Sequence, residues 1–212
     1  MERMFLDVMI IISLFVFWCI NEKIGFQICI VALITSWVIA LYLHLEFNLS
    51  YDFRWVITAL IFCGYLLLRK PLEKLFAKGG FRAYMIGAAL VSFLMIVYRP
   101  RLDMIFYAGS VLGLGVGYCL NKRFIGFKSS EMPERKGIKM ILFLFARFLI
   151  GMAGLAIIGF RVGVFVFKVY ENQNINLYCF VCSALICFWV SIAAPWLFIK
   201  LRLAGTEKIK DE

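Results

Sequence analysis

Apolar runs long enough to cross a bilayer recur along this chain, and they leave little room for any other fold. Hydropathy places them at about 4–20, 24–44, 53–68, 83–98, 104–120, 140–160 and 177–201, each nearly free of charge. At 1.5 Å of rise per residue, about 20 residues cross about 30 Å of hydrocarbon. Of the 212 residues, 64% are hydrophobic and 17% charged, against about 45–50% and about 25% in globular chains. Mean hydropathy is +0.91. A water-soluble fold is excluded. A transmembrane β-barrel is excluded too, because its shorter segments would alternate polar and apolar residues. The expected fold class is an all-α polytopic membrane protein, a helical bundle of about seven transmembrane spans. The first run is expected to stay as a helix: Glu2 and Asp7 offset Arg3, and no small-residue cleavage site precedes Asn21.

Charge sets the expected orientation. Lys23, five cations in the 69–82 loop, six in the 121–139 loop and four in the tail make sixteen on one side. The other side has Arg3, Arg54, Arg99, Arg101, Arg161 and Lys168. Translocation disfavours Lys and Arg, so the amino terminus is expected outside and the carboxyl terminus inside. The net charge of +10 follows from this asymmetry and from attraction to anionic headgroups, so membrane lipids are the expected partners and nucleic acid is not. The widest polar stretch, Gly126 to Lys139, separates an expected core of five spans (1–125) from a further pair with a basic tail (126–212), within a single integral membrane domain (1–212).

Few residues could carry chemistry. All seven cysteines fall inside or at the edge of apolar runs. Cys179 and Cys182 form a C-x-x-C, but one pair with no nearby His cannot complete a tetrahedral zinc site. They read as small core residues, and neither a metal nor a cofactor is expected. His44 is the only histidine, and no Ser or Cys has the spacing that would mark it as a base. Arg147 is an intramembrane charge about eight residues into a span, with no acidic residue in a neighbouring apolar run. It is expected either to snorkel or to bond carbonyls, the rival reading being an anion contact. Gly109, Gly113 and Gly117, four apart, give the fifth span a nearly smooth face for close helix packing. Two loops bring His44, Arg54, Arg99 and Arg101 to the side where positive charge should be scarce, an anion-binding candidate suited to a phosphate or diphosphate.

A family likeness runs through nearly the whole chain. Phe17-Trp18-Cys19-Ile20-Asn21-Glu22-Lys23-Ile24-Gly25, followed by Ser36-Trp37, resembles the front of bacterial type 2 phosphatidic acid phosphatases. Further resemblance lies in Phe62-Cys63-Gly64-Tyr65-Leu66, in Gly117 to Phe127, in Arg147-Phe148-Leu149-Ile150-Gly151 and in Ala194-Pro195-Trp196-Leu197-Phe198. The resemblance implies a helical bundle whose outward site removes phosphate from lipid phosphates or diphosphates without a metal. It also implies three motifs that this chain lacks. The Lys of the first falls on Leu43 and its Arg-Pro on Ser50-Tyr51. The Pro-Ser-Gly-His of the second falls on Asp52-Phe53-Arg54-Trp55. In the third, matching its Arg to Arg99 puts the His at Ile105 and the Asp at Gly109. The family's chemistry needs a His nucleophile, a His–Asp pair and Lys/Arg donors, and only Arg99 survives.

The chain is thus expected to be a degenerate, non-catalytic member that keeps the bundle and binds lipid phosphate or a membrane partner. Two alternatives stay open: an active lipid phosphate or isoprenyl diphosphate phosphatase rebuilt around His44, and a small transporter. The last is disfavoured by the lack of an acidic residue in mid-membrane.

Overall fold

A computed structural model describes residues 10–44, 51–98, 101–130, 137–168 and 174–206, with side chains except over 40–59, 68–79 and 165–168 and at 62, 66 and 206. The helices are α1 (Ile10–Ile20), α2 (Glu22–His44), α3 (Tyr51–Tyr98), α4 (Leu102–Leu120), α5 (Ile138–Lys168), α6 (Ile175–Phe188) and α7 (Ala194–Lys200). Two short strands, β1 (Phe127–Lys128) and β2 (Gly205–Thr206), pair antiparallel. Helices dominate because in hydrocarbon every backbone N–H and C=O must be satisfied within its own segment.

Among the described residues, five stretches are long and apolar enough to cross a membrane: Glu22–Ile39, Gly80–Tyr98, Leu102–Ile125, Ile138–Val164 and Ile175–Lys200. They fall where hydropathy places five of the seven expected spans. The first expected span is described only as the shorter Ile10–Ile20, and 53–68 lies in the front part of α3, outside those five. The 69–82 segment is not a loop. Helix α3 continues through it to a break at Gly80, whose φ of 56° and ψ of −150° are open to glycine and costly for other residues. Lys, Arg and Glu are good helix formers, so the polarity of 69–79 does not end a helix, whereas Gly80 does.

Helix α4 is the centre of the bundle. One flank takes the second part of α3, where Ser92 Oγ donates to Ala108 O at 2.9 Å and Gly115 faces the Ala88 methyl. The other takes α6. A Cβ on Gly109 would fall on Ser183 Oγ and Phe180 O, one on Gly113 on Ala184 O, and one on Gly117 on Ser191 Oγ. The glycine face is therefore a seam with α6 and with the segment Trp189–Ala193 that continues it, close enough for Cα–H groups to meet backbone carbonyls. Each glycine costs about 1 kcal/mol of helix propensity relative to Ala, and contact along the seam offsets it.

The bundle has two distinct ends. Glu22, Tyr118, Asn121 and Lys122 border one small cleft, so the start of α2 and the end of α4 share an end, which also carries Lys128, Lys200 and Arg202. Arg123 there lies over the Phe81 ring at 5.0 Å, and Lys200 over Trp196 at 4.8 Å. Aromatics paired with cations in this way suit a membrane–water boundary. At the opposite end Trp37 meets Tyr98 edge-on at 6.2 Å, and Cys179 Sγ donates to Leu102 O at 3.6 Å.

Candidate functional site

Of the four groups proposed for an anion site, Arg101 is the one whose side chain is described. It is exposed, extended (φ −100°, ψ 156°), and stands at the N-cap of α4. Its end of the bundle is the one with Trp37 and Tyr98, and α2 runs on from Trp37 to His44. The side chains of His44 and Arg54, and Arg99 altogether, lie outside the described residues. Ile105 and Gly109, where the resemblance puts a His and an Asp, are both buried; Ile105 is 4% exposed and Gly109 abuts α6.

Arg147 sits at the other end, 0% exposed. Its Nε and one terminal nitrogen donate to Leu203 O at 2.9 and 2.6 Å. The other terminal nitrogen donates to Ser129 O at 2.8 Å and Trp18 O at 3.2 Å. An unpaired Arg at mid-membrane would cost at least about 2.5–3.5 kcal/mol on insertion scales. Charge-assisted bonds to three carbonyls offset that cost, and the Phe127 ring lies 6.0 Å from the guanidinium. Arg147 thus bonds main-chain carbonyls of α1, of the turn after β1 and of the turn after α7.

Trp18, whose carbonyl Arg147 takes, lies in one of three helix segments that widen near this site. Val16–Ile20, Asn121–Ile125 and Trp189–Ala193 are π turns, in which amides reach five residues back: Asn21 N donates to Val16 O at 2.8 Å and Gly126 N to Asn121 O at 2.7 Å. An inserted residue of this kind releases carbonyls from the regular ladder. Pro195 adds to the effect, since it has no N–H to give to Ser191 O or Val190 O. Side chains supply the missing donors: Asn121 Nδ2 donates to Ser191 O at 2.6 Å, and Trp18 Nε1 to Val190 O at 3.0 Å.

The loop that completes the site is fixed by two polar residues. Asn121, 4% exposed, accepts from Phe127 N at 3.3 Å, and Gly126 turns the chain in the left-handed region (φ 62°, ψ 33°). Glu22 Oε2 then accepts from both the backbone N and the Oγ of Ser129, at 3.0 and 2.7 Å. A tight corner holds Glu22 in place. Asn21 Oδ1 caps α2 by accepting from Lys23 N and Ile24 N, both at 3.0 Å, and Gly25 lets the Phe17 backbone approach. So the segment from Phe17 to Gly25 is a helix–helix corner, and the acidic partner near Arg147 is reached through Ser129.

Sequence reasoning singled out Arg147 and passed over Glu22, Asn121 and Ser129. Pro195 was the available signal, because a proline within an apolar run orphans a carbonyl that some side chain must satisfy. The C-x-x-C thiols, Cys179 and Cys182, are free and buried between helices.

Several apolar helices long enough to cross a bilayer, packed about a buried glycine seam, make this an integral membrane protein. Residues 105–206, just under half of the chain, match the family described as PAP2 superfamily phosphatase, transmembrane extension, and over that stretch the chain is similar to membrane phosphatases of that superfamily. The matched stretch runs from the first turn of α4 to β2 and holds Asn121, Ser129, Arg147, Ser191 and Leu203. No curated protein and no solved structure gives a significant match.

Proposed function

We propose that this chain is a non-catalytic relative of the PAP2 phosphatases that holds lipid phosphate at the end bearing Arg101, with Arg54, Arg99 and His44 as the other contributors. One observation carries the loss of catalysis: Ile105 and Gly109 occupy the expected His and Asp positions and are packed inside the bundle. A carboxylate at 109 would have to displace α6, and isoleucine transfers no proton. His44 is the only histidine in the chain, while the reaction asks for both a nucleophile and an acid. Exposed guanidinium groups bind phosphate oxygens in fork geometry whether or not chemistry follows.

The test is phosphate release by purified protein from a panel of lipid phosphates and isoprenyl diphosphates, beside vesicle binding. Release is expected at the protein-free level for the wild type and for His44→Ala alike. Binding is expected to weaken in an Arg99→Ala, Arg101→Ala double variant. Turnover that disappears in His44→Ala would overturn the reading in favour of a rebuilt active site.

The same proposal puts the Arg101 end outside and the Lys122 end in the cytoplasm, with the amino terminus outside, as the distribution of Lys and Arg favours. Single cysteines at 101 and 122 in a cysteine-free background, labelled on intact cells, are expected to react only at 101. Labelling of both from outside would refute the orientation.

A further inference from the structure

We propose that residues 201–206 form a strap across the cationic end of the bundle and that Arg147 fastens it from within, its guanidinium acting as the third rung of a ladder too short to hold itself. Strands β1 and β2 make two pairs, Phe127 with Thr206 and Lys128 with Gly205. An isolated two-stranded ladder is marginal even at greater length. Continuing the register by one step would set Ser129 opposite Ala204. At that step the structure has Arg147 instead, taking the carbonyl of Ser129 on one strand and of Leu203 beside the other.

Both carbonyls are held out to the guanidinium by their own anchors. On the β1 side, Glu22 grips Ser129 through its amide and its hydroxyl. On the β2 side the chain leaves α7 through a reversal in which Arg202 takes a left-handed φ of 56°, Arg202 N donates to Ile199 O at 2.9 Å and Leu203 N to Phe198 O at 2.8 Å. A non-glycine residue is disfavoured in that region, so the turn relies on what lies beyond it. What lies beyond is Ala204, 7% exposed in the core cluster, and the Arg147 contact.

The strap braces the strand whose Phe127 lines the cleft between Glu22, Tyr118, Asn121 and Lys122. Releasing it uncovers the bundle interior at that end, between the start of α2 and the end of α4. Lysine cannot do the same work. Its ammonium is one point on a flexible stem, whereas the planar fork reaches carbonyls on both sides at once.

Hydrogen exchange of the full chain in nanodiscs, read by mass spectrometry, tests this. In the wild type the amides of 127–129 and 203–206 are expected to be protected. In Arg147→Lys and in Arg147→Met they are expected to exchange roughly tenfold faster or more, with α4 amides still protected, since opening of the strap is local. Unchanged strap exchange in both variants, or an unprotected strap in the wild type, would overturn the proposal. Should either variant lose α4 protection as well, a chain truncated after Leu201 decides. It is expected to keep α4 protected while 127–129 exchange fast, and a truncation that unfolds α4 would show the strap to be part of the core and refute the proposal.

Discussion

Replacing Gly113 by leucine is expected to leave little folded protein in detergent at temperatures where the wild type is intact. A Cβ at 113 falls on the carbonyl oxygen of Ala184, and Ala184 Cα is only 2.8 Å away. Helix backbone cannot yield as a flexible side chain would, so α4 and α6 must move apart. That separation also unseats Gly109 from Phe180 and Gly117 from Ser191, because all three contacts lie on one seam. Overpacking commonly costs about 1–3 kcal/mol, and a change that lifts a whole helix belongs at the upper end, about 3 kcal/mol, out of a total stability of about 5–15 kcal/mol. Gly159→Leu is the matched control, since a Cβ there meets nothing within 4 Å. Thermal unfolding in detergent compares the two. Equal melting of Gly113→Leu and Gly159→Leu would show that the seam does not hold the bundle together.

Trp18→Ala should destabilise the fold by a comparable or larger amount. The indole is 0% exposed, lies where a Cβ on Gly151 would be, and meets Phe198 edge-on at 6.0 Å. Truncating a buried Trp costs about 3–5 kcal/mol. Lipid removes part of the water-transfer component of that figure, so about 3 kcal/mol is expected from packing alone. The lost N–H adds to it, because Val190 O has Trp18 Nε1 as its donor and Pro195 has no N–H to offer in replacement. Trp18→Phe separates the two contributions. It keeps a ring but orphans the carbonyl, at about 1–3 kcal/mol. Denaturant titration is the measurement, and a Trp18→Phe variant as stable as the wild type would mean that the Val190 carbonyl finds another partner.

The apolar runs carried the reading of the membrane helices a long way, since a span is specified by local composition and length. The end of α4, the start of α5 and the extent of α6 with α7 lie within a few residues of the hydropathy limits for that reason. The 69–82 segment misled it because polarity marks the bilayer edge and not the end of a helix. Hydrogen bonding continues through charged residues until a backbone such as that of Gly80 interrupts it. The glycines of α4 were legible as a contact face, but not their partner. Spacing says that a helix can approach, and only the fold says that α6 does.

Arg147 shows the same division most sharply. Its position in an apolar run established that a guanidinium must find acceptors within the membrane protein, because desolvation leaves no cheaper state. Which acceptors depended on distant segments: Trp18 lies 129 residues away in sequence and Leu203 lies 56. Both carbonyls, with that of Ser129, are presented by π turns, a left-handed residue and a two-rung ladder, none of which has a compositional signature. Glu22 looked like an ordinary charge at a helix start and became the anchor of Ser129 once α2 and the loop after α4 met at one end. The sequence by itself determined the solvent of this protein, its helical class and the need to satisfy one buried charge, because those follow from local hydropathy and from electrostatics in hydrocarbon. Which helices touch and which carbonyls reach Arg147 were settled only in the folded bundle, because those depend on which distant segments meet.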